Sequence, residues 1–149
     1  MQVIVTQINP EQPIYRGHLR MPSFLAQFDS AGFSGSAWFV PATGNSSGYL
    51  GQRLDVELSH DRVTQVLLED GQGFKSRVEP LPAPGAYRVS GTVSSMVPLR
   101  VPPGEAIVSV TAGDATFALT IAELAGIRPA PGIHLSFLVH DLSLWDEAL

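Results

Sequence analysis

GQRLDVELSHDRVTQV, residues 51–66, shares its pattern of apolar residues with GIHLSFLVHDLSLWDE, residues 132–147, although the His-Asp pair comes one residue earlier in the second stretch. Each stretch begins with a glycine and places apolar side chains three, five and seven residues later. Alternation of this kind is typical of a β-strand with one buried face. Each stretch then reaches a His-Asp pair, His60-Asp61 or His140-Asp141. We predict a strand in each stretch, and we interpret the His-Asp pair as the point where the strand leaves its sheet and turns.

The same period-two alternation dominates the rest of the chain. Turn signals rich in Gly, Pro, Asn and Asp separate the apolar runs at intervals of about ten residues, a spacing typical of small barrels and sandwiches. One short helix is expected near residues 121–127, because Gly126 offers a C-terminal cap. The sequence therefore predicts an all-β fold, built as one or two small β-barrels of OB-like or sandwich type.

A proline-rich segment suggests a division of the chain. PLPAPG at residues 80–85 holds three prolines, which stiffen the backbone and remove hydrogen-bond donors. We predict an N-terminal β subdomain over residues 1–80 and a C-terminal OB-like barrel over residues 86–149, or alternatively one continuous domain of residues 1–149. The repeated stretch also suggests a tandem duplication, in which Tyr15-Arg16 and Tyr87-Arg88 each open one half.

Composition and charge exclude several classes of function. The chain has 149 residues, a formal net charge of −5 and no cysteine. Without cysteine there are no disulfides, no thiolate metal ligands and no cysteine nucleophile. No cluster of Lys and Arg is present to neutralise phosphates, so we expect neither nucleic acid nor an anionic membrane as a partner. MQVIVTQINP does not have the pattern of a secretory signal, and we expect a cytoplasmic protein without a cofactor.

One part of the chain resembles a known family. ALTIAELAGIRPAPGIHLSFLVHDLSLWD, residues 118–146, is similar to the closing portion of TOBE-type domains, which are small OB-like barrels of transport ATPases and molybdate-binding proteins. The resemblance extends over about residues 106–146. It implies an OB-like barrel and, as one alternative function, binding of a small oxyanion. The oxyanion-binding residues of that family have no clear counterpart here, so the resemblance assigns no ligand site.

The histidines do not form a metal or catalytic site in this pattern. His134 and His140 lie on one face of the second strand, about 20 Å apart, which is too far for one metal ion. Leu135, Phe137 and Val139 fill the opposite face, so the histidines are expected outside. Because neighbouring residues of a strand point to opposite faces, Asp141 is badly placed to orient His140 as a base. We expect no catalytic residue and no metal ligand.

Aromatic residues and the two His-Asp pairs remain as candidates for contact with a partner. The predicted binding residues are Trp38, Phe39, Tyr49, His60, Asp61, His140, Asp141 and Trp145. The favoured function is a non-catalytic protein-binding module, such as an acidic inhibitor or immunity-type protein, whose negative charge suits a basic target. Two alternatives stay open: a barrel that binds a small oxyanion, and an enzyme whose site the sequence does not reveal. Self-association into a homo-oligomer is also left open.

Overall fold

A computed structural model describes residues 1–17 and 20–148 and has almost no helix. Its strands are β1 (Gln2–Ile8), β2 (Ile14–Arg16), β3 (Met21–Ser30), β4 (Ser34–Val40), β5 (Arg53–Ser59), β6 (Arg62–Glu69), β7 (Arg77–Pro80), β8 (Tyr87–Pro98), β9 (Ala106–Ala112), β10 (Ala115–Thr120), β11 (His134–His140) and β12 (Ser143–Asp146). A single 3-10 turn, η1 (Ala122–Leu124), lies between β10 and β11. The prediction of an all-β fold built from a small barrel is confirmed.

The first sheet closes on itself as a five-stranded barrel. Its strands follow the order β1-β5-β12-β4-β3, and β3 pairs again with β1 to complete the ring. The short strand β2 is added at the outer end of β3. All of these pairs are antiparallel except β4 with β12, which is parallel. Closure leaves no free edge along the ring.

The second sheet has the order β10-β9-β8-β11-β6, with β7 paired to the first part of β8. The turn η1 contacts both β10 and β6, the two end strands of this order. Leu124 of η1 is completely buried. The helix predicted near residues 121–127 is therefore present as one 3-10 turn, which ends at Ala125 in the left-handed conformation.

The two similar stretches form one long antiparallel pair that joins the sheets. β5 belongs to the barrel and continues into β6 of the second sheet, whereas β11 belongs to the second sheet and continues into β12 of the barrel. Ser59 faces Ser143 and Arg62 faces His140, so the same register passes from one sheet into the other. We call this pair, Arg53–Glu69 with His134–Asp146, the shared ribbon. The ranges 1–80 and 86–149 each contribute strands to both sheets through it.

One continuous cluster of buried apolar residues includes side chains from strands of both sheets. In β11 the alternation places Leu135, Phe137 and Val139 in this core, as expected. The proposed equivalence of Tyr15 and Tyr87 is wrong. Tyr87 opens β8 and is completely buried, whereas Tyr15 is exposed on β2. Strand pairing instead makes β1 the counterpart of β8. β1 pairs with β5, the first strand of one chain segment of the shared ribbon, and β8 pairs with β11, the first strand of the other.

Candidate functional site

The two His-Asp pairs lie side by side where the shared ribbon crosses between the sheets. The backbone N–H of Asp61 donates to the carbonyl of His140 at 3.1 Å, which joins the two crossings. Asp141 has a φ of 54°, in the left-handed region that Asp tolerates better than most residues. The predicted turn after each strand is thus a corner between two sheets.

A solvent-open cleft of about 440 Å³ lies beside this corner. Its lining includes Tyr15 and Arg16 from β2, Ser59, His60 and Asp61 from the first crossing, and Trp145 from β12. We call it the corner cleft. It brings together three of the eight predicted binding residues, His60, Asp61 and Trp145, and it adds β2, which the sequence pattern did not connect with them.

Arg16 is the central polar group of the corner cleft. Its side chain is only 11% exposed, and its Nη1 donates to Asp61 Oδ1 at 2.8 Å. Its Nε donates to Ser23 Oγ at 3.2 Å, and its guanidinium lies 5.1 Å from the centre of the Trp38 ring. Carboxylate, hydroxyl and aromatic face together fix the guanidinium in one orientation. The charge of Arg16 is therefore balanced within the site.

Trp145 is held in place by two neighbours. Its Nε1 donates to Ser59 Oγ at 2.8 Å. Gly17 lies against the far edge of the indole, with a φ of 76°, and a Cβ there would come within 3.0 Å of the ring. Glycine is required at this position for both reasons. Trp38 differs, because its Nε1 is buried and has no hydrogen-bond partner among the described residues.

The two histidines of the corner have different surroundings. The side chain of His60 is only 8% exposed, and its Nε2 lies 2.7 Å from Glu123 Oε2. Glu123 belongs to η1, so this contact ties the end of β5 to the second sheet. The expectation that the imidazoles lie outside is therefore wrong for His60. His140 is half-buried, and its Nε2 lies 2.7 Å from Thr64 Oγ1.

Neither histidine is part of a recognisable catalytic or metal-binding arrangement. Within residues 1–17 and 20–148, no three His, Asp or Glu side chains are close enough to hold one metal ion. The side-chain contact of His60 is to the Glu123 carboxylate and that of His140 is to the Thr64 hydroxyl, so neither imidazole contacts both a nucleophile and an orienting carboxylate among the described residues. His18 lies outside the described residues.

Phe39 and Tyr49 belong to the core rather than to a surface. Phe39 is completely buried, and its ring meets that of Tyr49 edge-on, with centroids 5.0 Å apart. Tyr49, in the loop between β4 and β5, is also buried. We therefore leave them out of the candidate site.

A second surface feature was missed by the sequence reasoning. The hairpin that joins β8 to β9 carries three exposed apolar side chains, Val97, Leu99 and Val101, and Val101 is 85% exposed. We call residues 97–105 the hairpin tip. Leu99 N–H donates to the Glu105 carbonyl at 2.8 Å, so the ladder continues beyond the strands. The sequence VPLRVPPG, residues 97–104, does contain a signal for this feature, because it combines apolar residues with prolines and a solvated loop is usually polar.

Comparisons with family models, with curated proteins and with solved structures give no significant match. In the described part of the chain, no helix is both long and apolar enough to cross a membrane. A function must therefore be argued from the surface features themselves.

Proposed function

We propose that this protein is a non-catalytic protein-binding module that contacts its partner through the hairpin tip. The observation that carries the proposal is the nearly complete exposure of Val101, with Val97 and Leu99 exposed beside it. Single exposed apolar residues are ordinary, but three on one hairpin keep apolar surface in contact with water, which costs free energy. A partner with an apolar pocket would remove that cost.

The hairpin tip is also pre-organised for binding. The bond between Leu99 and Glu105 closes its base, and Pro102 and Pro103 restrict the backbone of the turn. A segment that is already ordered loses little conformational entropy when it binds. This is the behaviour required of an inhibitor that places a loop in a pocket of its target.

Charge indicates the kind of partner. A net charge of −5 favours encounter with a basic protein, because opposite potentials raise the association rate. The hairpin tip carries one cation, Arg100, and one acid, Glu105, so the excess acidic charge lies elsewhere on the chain and acts at long range, whereas the apolar contact acts at short range. The same proposal places the protein in the cytoplasm, which its lack of cysteine suits.

The finer description of the fold is part of the proposal. We infer that the part of the second sheet formed by β8, β9, β10 and β11 is OB-like, since the short helical turn lies between the third and fourth of these strands, β10 and β11. In this description the hairpin tip is the loop between the first and second strands. Loops at that place commonly contribute to ligand contact in OB folds.

The test is affinity capture with the purified protein from extract of its source cells. The bait variants are the wild-type protein, Val101→Asp and, as a matched control, Leu50→Asp, since Leu50 is an exposed apolar residue of a different loop. Both substitutions are at the surface and should change the unfolding free energy by less than about 0.5 kcal/mol, which a thermal melt checks.

We expect one basic protein to be retained by the wild-type and Leu50→Asp baits and lost from Val101→Asp. Burying a valine side chain contributes about 1.5–3 kcal/mol, so its replacement by a charge should weaken binding by at least about tenfold. If no protein is retained by the wild type, or if Val101→Asp retains the same protein equally well, the proposal fails.

A further inference from the structure

The corner cleft combines an exposed aromatic ring with polar groups that are already paired. Tyr15 is 58% exposed at the edge of the cleft. Beside it lie the ion pair of Arg16 with Asp61 and the hydroxyl of Ser59. The volume of the cleft falls within the range of about 300–1,000 Å³ that is usual for small-molecule sites. These properties restrict the chemistry of a ligand.

A simple anion is a poor match for this cleft. Asp61 lies 2.8 Å from Arg16 and already balances its charge. The carboxylate is exposed, so it would also repel a second negative charge that approached the guanidinium. A cation is no better suited, because Arg16 faces the same space. The ion pair therefore favours a neutral ligand.

The polar groups require a ligand that both donates and accepts hydrogen bonds. Asp61 can only accept, and Arg16 can only donate. Hydroxyl groups do both, and two neighbouring hydroxyls of a sugar ring can bond a carboxylate and a guanidinium at the same time. Because Asp61 and Arg16 hold each other in place, little order is lost when such a ligand binds.

The aromatic ring supplies the apolar part of the same recognition. A pyranose ring has a face of C–H groups that packs against an aromatic ring, and the exposed Tyr15 ring is free of the core. Ile14, also exposed, extends the apolar edge of the cleft. We propose that the corner cleft binds a neutral carbohydrate, with its hydroxyls on Arg16 and Asp61 and one ring face on Tyr15.

The experiment follows the fluorescence of the intact protein during titration with neutral disaccharides. Trp145 lines the cleft and Trp38 lies under Arg16, so bound sugar should change the signal of both tryptophans. The probes are maltose, cellobiose, lactose and N,N′-diacetylchitobiose. The test variant is Tyr15→Ala and the control is Leu50→Ala, since Leu50 is similarly exposed, at 61%, outside this cleft. Thermal melts confirm that both variants fold.

We expect a saturable change with at least one disaccharide, weakened about tenfold in Tyr15→Ala and unchanged in Leu50→Ala. The Val101→Asp variant should bind sugar like the wild type, which separates this proposal from the one for the hairpin tip. The proposal is overturned if no disaccharide gives a saturable change, or if Tyr15→Ala binds equally well. It is also overturned if sulfate, molybdate or tungstate saturates the signal while the sugars do not.

Discussion

Replacing Leu119 by alanine should destabilise the barrel, although Leu119 lies in the second sheet. Leu119 is completely buried in β10, and a buried Leu→Ala change costs about 3 kcal/mol, within a usual range of about 2–5 kcal/mol. The two sheets share one core and the shared ribbon. Opening the second sheet frees β6 and β11, which continue directly into β5 and β12 of the barrel. The whole cost should therefore appear in the unfolding of the barrel.

Tryptophan fluorescence during urea denaturation measures this coupling. Trp38 lies in β4 and Trp145 in β12, so both report on the barrel. With a slope of about 2 kcal/mol per molar urea, typical for a small protein, a loss of about 3 kcal/mol moves the midpoint down by about 1.5 M. Thr116→Ala is the control, since Thr116 is exposed on the same strand and its loss should cost less than about 0.5 kcal/mol.

A particular result would refute this reasoning. If the tryptophan midpoint of Leu119→Ala stayed at the wild-type value while circular dichroism showed an additional transition at lower urea, the two sheets would unfold independently. The shared ribbon would then not transmit stability between them. An unchanged slope with a lowered midpoint, seen by both methods, is the expected outcome.

Three further predictions concern Tyr87, whose hydroxyl donates to the Ser36 carbonyl at 2.6 Å. Tyr87→Phe should cost about 1–3 kcal/mol at neutral pH, because the buried carbonyl loses that donor. Burial raises the pKa of Tyr87, so the free energy of unfolding of the wild type should fall as the pH rises above about 10, where the tyrosine of the unfolded chain ionises. Urea denaturation measured across this pH range should show that Tyr87→Phe lacks this contribution to the fall. Gly35→Ala should lower the free energy of unfolding by about 1–3 kcal/mol, because a Cβ at residue 35 would collide with the Tyr87 hydroxyl. In a double-mutant cycle the same substitution should cost less in the Tyr87→Phe background. Equal costs in the two backgrounds would contradict this contact.

The fold class could be predicted because burial in a strand is a local property. The alternation of Leu135, Phe137 and Val139 shows which face of β11 is buried whichever strands lie beside it. The exchange of β6 and β12 between the sheets could not be predicted in the same way. Alternation shows which face of a strand is buried, but it does not show which other strand lies beside it, because many strands of this chain carry a similar apolar face. Pairing was decided by contacts far apart in the chain.

The candidate site shows the same limit more sharply. The sequence indicated His60, Asp61 and Trp145, and the structure places all three at the corner cleft. Their functional surroundings come from distant residues: Arg16 is 45 residues from Asp61, and Glu123 is 63 residues from His60. No local pattern relates residues at those separations. Arg16 was consequently overlooked, and His60 was expected on the surface.

The repeated His-Asp pair follows from the topology of the ribbon. Each copy must leave one sheet and enter the other, and at the first crossing Asp61 is exposed whereas His60 is nearly buried. Polar residues suit such a corner, and Asp141 accepts the left-handed backbone there. The two copies then meet different neighbours, since His60 meets Glu123 while His140 meets Thr64. The similar crossings therefore account for the similar sequence pattern. Any binding chemistry at the corner depends on residues that other strands place beside His60 and Asp61, such as Arg16 of β2.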